Sequence, residues 1–354
     1  MAQFNLQTSF EDITLPTGST AQRPGSATNG MIRYNTTISL LEYFDGSNWR
    51  PVTGYSQGSI GAGGQSISLK GGSIVHMFTS TGNHTFTPTH SGYVQVLVVG
   101  GGGGTGGGWT GGAGGGGMIF NRSFPVSAGS GYGVTVGGGA GRGSRSVGSN
   151  SVFSTITANG GGYGGWWDGG DASGGGSGGG GGNSSADGSR RREPGGLGIT
   201  GQGFPGGSGV RFHDDGTNTH NGGGGGGAGG PGLDSQDEAQ GQATHGGPGA
   251  ASDIIGDTLY WGGGGASGPH ICDGGGGNGG VGGGGGGACH YVPGYPTLGN
   301  GRGGGQSLNK GQNATNNDSH ARYGGDGAAN TGGGGAHGGS GHGGGGSGIV
   351  VVRY

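Results

Sequence analysis

The sequence predicts a mainly β and irregular protein with essentially no α-helix. A small β-structured N-terminal module is followed by a bundle of extended glycine helices framed by β-sheet. Three observations carry this. Glycine supplies 114 of the 354 residues, several times its average usage of about 7%. Leu, Ile, Val and Phe together make up about one residue in seven, below the roughly one in five at which an ordinary apolar core becomes hard to build. The glycine is also unevenly placed, with only 12 of it in residues 1–90.

Glycine costs about 1 kcal/mol per residue in a helix relative to alanine and weakens strand interiors, so runs such as Gly222 to Gly227 fit neither regular structure cheaply. Collagen is excluded because there are only 12 prolines and no strict Gly-X-Y period. The net charge of -3 supplies no basic footprint, so no nucleic-acid partner is expected. The opening residues have no cationic start followed by an apolar stretch, and the longest apolar runs, Val96 to Val99 and Ile349 to Val352, are far too short for membrane insertion. The chain is therefore expected to be made in a cytosol and to leave by lysis.

Element by element, Met31 to Tyr34 and Leu40 to Phe44 read as short strands, with Asn35-Thr36-Thr37 between them and Asp45-Gly46-Ser47-Asn48 turning the chain before Trp49. So few residues make a poor core alone, so partners or symmetry mates are expected to complete residues 1–72. From residue 73 the pattern changes. Framing strands are expected within 74–99, where Tyr93 to Val99 is the most strand-like stretch, and within 118–157, at Met118 to Phe124, Tyr132 to Val136 and Ser151 to Thr157. A last strand closes the chain at 349–354.

Valine strands at both ends of the glycine-rich interior, 160–348, argue that it folds back on itself; the alternative is a flexible tether. The ordered form is the extended helix of three residues per turn, rising about 3.1 Å per residue, with no internal hydrogen bonds. Such helices survive only as a bundle in which each satisfies its backbone groups on its neighbours. Glycine lets their axes approach, and Cα–H to carbonyl contacts add to the packing. A change such as Gly284→Val is expected to wedge helices apart.

Thr17-Gly18-Ser19-Thr20-Ala21-Gln22-Arg23-Pro24, followed by Asn29-Gly30-Met31-Ile32-Arg33-Tyr34-Asn35-Thr36 and Asp45-Gly46-Ser47-Asn48-Trp49, resembles a short module that recurs in phage tail fibres. Phe86 through Val99 into Gly100 to Gly104, with Tyr132 to Gly138 and Gly348 to Val352, resembles the glycine-rich domain of phage tail proteins. It is similar in style to the adhesins at the tips of T-even-type long tail fibres. The resemblance implies a polyglycine-II sandwich whose loops recognise the host, in a virion tail fibre assembled in the host cytoplasm. The partners it implies are a host surface polysaccharide or outer-membrane protein and other tail-fibre or baseplate proteins. It also implies that the N-terminal part attaches to, or trimerises within, a fibre. A homotrimer is the expected state and a single capping copy the alternative.

Side-chain chemistry lies between the glycine runs. Counting alternate ends from Gly174, with Gly195 to Gly209 as loop, one end collects Trp166, Trp167, Asp168, Trp261, His290, Tyr291 and Tyr295. The other collects Arg190, Arg191, Phe212, His213, His270 and Tyr323. The first set is the expected receptor-binding tip, because aromatic faces stack at low entropic cost while neighbouring Asp, Asn and Arg fix orientation. The count flips if Gly201 to Gly209 itself crosses the bundle. The alternative is that these aromatics merely cap the ends.

A single extended run between Cys272 and Cys289 would hold their sulfurs too far apart for a disulfide, so free thiols are expected unless the chain turns at Asn278. No metal site is expected. His270-Ile271-Cys272 and Cys289-His290 converge only if that turn exists. His337 and His342 are expected to be solvated and to point in unrelated directions. Asp214 to Asn218 reads as a turn, without the full spacing of a calcium loop. No catalytic constellation stands out, so neither an enzyme nor a cofactor is expected. The expected function is a tail-fibre adhesin. The rivals are a structural fibre protein whose loops contact neighbouring subunits and, more remotely, an ice-binding slab.

Overall fold

The computed structural model describes residues 15–37, 40–52, 61–69, 73–108, 110–166, 170–182, 191–214, 217–236, 243–269, 275–289, 300–316 and 322–354. It contains strands, one short 3₁₀ turn at Thr20–Gln22 and, among the described residues, no α-helix. The chain divides into two compact units, Met1–Gly58 and Ser59–Tyr354.

The first unit is a four-stranded sheet ordered β1 (Thr17–Gly18), β2 (Ile32–Asn35), β3 (Leu40–Phe44), β4 (Trp49–Val52), antiparallel except for the β1–β2 pair. Strand alternation sends Ile32, Tyr34 and Tyr43 to one face and Arg33, Asn35 and Glu42 to the other. The usual polarity is reversed: the apolar residues are exposed and the charged ones buried. Glu42 is held by Arg23 at 2.6 Å, Arg33 at 3.6 Å and the Asn35 side-chain amide at 3.0 Å. The same hydrogen bonds and charges keep its carboxyl below the usual carboxylate range, with the Arg23 bond foremost.

The second unit begins with β5 (Gly61–Ala62), β6 (Gln65–Ser68), β7 (Ile74–Phe78), β8 (Gly82–Pro88) and β9 (Gly92–Val99). These are followed by β10 (Met118–Val126), β11 (Tyr132–Val136), β12 (Ser151–Phe153) and β13 (Ile156–Ala158). Short strands β14 (Arg191–Glu193), β15 (Gly209–Asp214), β16 (Thr217–Asn221), β17 (Ala250–Ser252), β18 (Leu259–Trp261), β19 (Thr315–Asn316) and β20 (Arg322–Tyr323) precede β21 (Ile349–Arg353). Two antiparallel sheets, ordered β10-β9-β21-β7-β6 and β13-β12-β11-β8-β5, form a sandwich.

Both faces of β9 and β21 are buried, which is why they read as unbroken valine runs. Val94, Val96, Val98, Val350 and Val352 pack with Phe86, Val134, Val136 and Phe153 of the second sheet. On the opposite face Leu97, Val99, Ile349 and Val351 pack with Ile254 and Trp261 of the β17–β18 hairpin. The link from β5 to β6 changes sheets through Gly63 and Gly64, both with positive φ, where a Cβ would crowd the Thr85 and Met77 carbonyls. Ser151 to Thr157, expected as one strand, is the β12–β13 hairpin, turned at Ser154 with φ 51°.

Between the sandwich strands the glycine runs bond to one another with a period of three. The amides of Gly100 and Gly103 donate to Gly117 and Gly114, those of Gly101 and Gly104 to Ser149 and Ser146, and those of Gly102 and Thr105 to Gly346 and Gly343, at 2.9–3.2 Å. The run 111–117 does the same towards three other runs: Gly111, Gly114 and Gly117 reach Gly165, Gly162 and Asn159; Gly112 and Gly115 reach Gly223 and Gly226; Ala113 and Gly116 reach Gly335 and Gly332. It accepts from three further directions, at Gly100 and Gly103, at Ser177 and Gly180, and at Gly265. Six neighbours surround it, whereas a strand in a sheet ladder has two. At the rim, side-chain amides replace missing neighbours: Asn150, Asn278 and Asn313 accept from the amides of Gly160, Arg302 and Gly303.

Candidate functional site

Hydrogen-bond register fixes which connections share an end of this lattice. Gly100 follows β9, Gly117 precedes β10 and Asn159 follows β13; Gly100 bonds to Gly117, and Gly117 to Asn159. Met118 bonds to Gln202, Gly116 to Gly332, Gly262 to Thr331 and Ala228 to Gly262, so the turns near 200, 229 and 330 and the β17–β18 hairpin all lie at the sandwich end. The opposite ends of the same runs meet one another. Thr105 bonds to Gly343, Gly111 to Gly165, Gly165 to Gly180, Gly181 to Gly207, Ser267 to Thr244, Ala288 to His337 and Gly324 to Gly341.

The described residues that border the connections near 105–110, 141–146, 166–172, 182–193, 208–222, 236–243, 268–275, 289–300, 314–323 and 337–342 therefore lie on one side of the lattice, the loop end. For the described candidates this changes the expected division between two ends. Gly195 to Gly209 is not a loop. Ile199 bonds back to Gly175 and Gly176 at the sandwich end, and Gly207 bonds to Gly224 on the way out, so the chain crosses twice and the parity count flips.

Of the first set, Trp166 is half-buried at the loop end, its ring laid against Gly107, where a Cβ would clash with the indole. Trp261 is a correction: it is fully buried in the apolar cluster under the first sheet, at the sandwich end, and cannot stack on a ligand there. Trp167, Asp168, His290, Tyr291 and Tyr295 lie outside the described residues, but their described neighbours Trp166, Gly170 and Cys289 are at the loop end. Of the second set, Arg191 opens β14, and Phe212 and His213 belong to β15, paired with Thr219 and Asn218. The turn expected at Asp214 to Asn218 is the close of this β15–β16 hairpin, which pairs Asp214 with Thr217. Tyr323 is in β20, its ring against Gly341. Arg190 and His270 lie outside the described residues, beside β14 and beside Pro269, which bridges to Asn221. The described members of both sets, Trp166, Arg191, Phe212, His213 and Tyr323, thus lie on the loop end, and Trp261 does not.

Beneath this face runs a buried polar layer. The Thr105 hydroxyl donates to the Ala336 carbonyl at 2.9 Å, that of Thr244 to Gly222 at 2.6 Å and that of Ser267 to Thr110 at 3.0 Å. The Thr110 amide donates to His337 Nδ1 at 3.3 Å. His337 is fully buried, and its ring centre lies 5.5 Å from that of His342. The expectation of two solvated, divergent histidines is thereby overturned, because residues 338–342 turn and bring the rings together. Burial pushes the His342 pKa down to about 4.

Nearby, the buried Arg322 donates to Cys289 Sγ at 2.6 Å. Cys289 is disulfide-bonded, which overturns the expectation of a free thiol there. The sequence has one other cysteine, Cys272, outside the described residues. The single-crossing premise fails at its described part: Gly275–Val281 and Gly282–Cys289 are separate crossings, with Gly287 bonding back to Gly277. The bonded sulfur also leaves Cys289 unsuited to the metal set considered with His270 and His290.

On the surface above, the Arg145 guanidinium lies 4.7 Å from the Tyr163 ring centre and donates to the Asp171 carbonyl at 2.7 Å. Sequence reasoning did not single out Arg145, Thr110 or Ser267. Lone Thr and Ser residues inside glycine runs were the available signal for the buried layer. Among the described residues no group of three or more His, Cys, Asp or Glu could hold a metal ion. Comparison with known proteins finds no family model that matches the chain and no curated protein with a significant match.

Proposed function

We propose that this chain is a phage tail-fibre adhesin: a polyglycine-II bundle, seated on a β-sandwich, that holds host-recognition loops at one end. The period-three hydrogen bonding with six neighbours supports the polyglycine-II reading, since three residues per turn point successive amides at three different neighbours. One observation carries the functional reading. The described candidates other than the buried Trp261, and the described residues that flank the remaining ones, lie on the loop end of the lattice. A rigid base with convergent, chemically rich loops suits recognition by stacking and hydrogen bonding, without catalysis.

The ligand in this reading is a host surface polysaccharide or outer-membrane protein. The first unit attaches to or trimerises within the fibre, among other tail-fibre or baseplate proteins, and the virion is released by lysis. The test is adsorption of particles carrying Trp166→Ala or Trp167→Ala. We expect assembled fibres with adsorption reduced at least tenfold; normal adsorption by both variants sinks the assignment.

A second reading, a structural fibre protein, draws on a different observation: Val147, Leu197, Phe204 and Leu233 are exposed on runs of the bundle. Neighbouring subunits covering them would give long polymers of the purified protein, visible by electron microscopy.

A further inference from the structure

A groove of about 400 Å³ climbs one flank of the lattice, bordered by Ala140, Arg142, Lys310, Gln312, Asp326 and the backbone of Gly344 to Gly346. That volume lies in the range of small-ligand sites. Arg142 reaches Gln312, two residues along the run from Lys310, so both cations border the groove. We propose that this groove binds a segment of acidic polysaccharide, with its carboxylates on Arg142 and Lys310 and a sugar ring on the glycine floor. The inference takes from the adhesin reading only the ligand class, a surface polysaccharide, and locates it on the flank, away from the aromatic loops.

The lining decides the chemistry. Its apolar side chains are all alanine (Ala140, Ala328, Ala329), so an apolar peptide side chain finds no pocket. Asp326, the one acid of the lining, is already engaged: Oδ1 accepts from the Gly344 amide at 2.8 Å and from Arg142 Nε at 3.0 Å. Among the described residues the remaining Arg142 nitrogens make one long contact, NH2 to Gln312 Oε1 at 3.4 Å. Lys310 is exposed, and the Gln312 amide can donate as well. The groove therefore offers mainly donors and carries a net positive charge, which suits a ligand rich in acceptors and negatively charged. The Cβ positions of Gly344 to Gly346 face Ala140, Gly102 and Ala328 of neighbouring runs, so the floor presents backbone alone to a sugar ring, and a guanidinium fork matches a carboxylate.

The test uses the full-length protein and calorimetric titration with oligogalacturonate, a neutral dextran oligosaccharide of equal length, and inorganic phosphate at matched ionic strength. The expected result is saturable oligogalacturonate binding, at least tenfold tighter than dextran and weakened by added salt. Lys310→Gln and Arg142→Gln are each expected to weaken it about tenfold while thermal unfolding stays within a few degrees of the parent. Absence of saturable binding, equal binding of dextran, displacement by phosphate at comparable concentration, or unchanged affinity in both folded variants would each overturn the proposal. Failure here is separable from failure of the adhesin reading, because adsorption is read on particles with substitutions at Trp166 and Trp167.

Discussion

At Gly225 a Cβ would lie closer than 3.0 Å to the Ala113 carbonyl oxygen of a neighbouring run, whereas at Gly138 it would meet nothing within 4 Å. Neither residue has a positive φ, so backbone strain does not separate them. Gly225→Ala must push two hydrogen-bonded runs apart and is expected to cost about 3 kcal/mol or more. Gly138→Ala loses nothing in the folded state and restricts the unfolded chain, so it is expected to stabilise by about 0.4–1 kcal/mol. Chemical denaturation of the two variants checks both signs. His342 sets the pH response of the loop end. Its folded pKa of about 4 lies below the ordinary histidine value of 6.5, so folding favours the neutral ring. The contribution is complete above pH 6.5 and is lost as pH falls from there towards 4, up to about 3 kcal/mol. His342→Gln should flatten that part of the stability curve, read from chemical denaturation across about pH 4–7.

In the elements, the inverted sheet of the first unit concentrates its stability on Glu42. Replacing it by Gln leaves the buried Arg33 without its carboxylate, and breaking a buried pair on one side costs on the order of 3 kcal/mol. The expected outcome is early unfolding of the first unit, read from Trp49 fluorescence, with the second unit's transition unchanged. The strands that were legible in the sequence share a cause. β9, β11 and β21 are runs of β-branched and aromatic residues, and β3 was bounded by turn residues on both sides. The glycine crossings were legible as runs but not as directions, because a residue without a side chain does not mark which neighbour its amide faces. Proline does mark it. Gly206 and Gly207 donate to Gly196 and Gly224, and Gly246, Gly247 and Gly249 to Asn278, Gly225 and Val281. Pro205 and Pro248 take the remaining phase, where the absent N–H costs nothing. Reading that phase would have exposed the double crossing through residues 195–208. Trp261 was misplaced because the sheet it packs against, Leu97, Val99 and Ile349, is distant in sequence, although Ile254, Ile255 and Leu259 of its own segment share the cluster and were the available signal.

For the whole molecule, the balance of forces differs from that of an ordinary domain. Among the described residues the apolar clusters lie in the sandwich and the face beneath it, while the lattice beyond is held by backbone hydrogen bonds between glycines. Unfolding an ordinary domain raises the heat capacity by about 12–15 cal/mol/K per residue, because exposed apolar surface adds to it and exposed polar surface subtracts. Melting the lattice exposes peptide groups and very few side-chain carbons. The heat-capacity change summed over the full chain is therefore expected at about half the ordinary per-residue value or lower, with a correspondingly flat stability curve that holds in the cold. Differential scanning calorimetry of the intact protein measures this directly. A heat-capacity change at the ordinary value would mean that the glycine runs are held by buried apolar surface after all, and the hydrogen-bonded lattice would lose its place as the source of the bundle's rigidity.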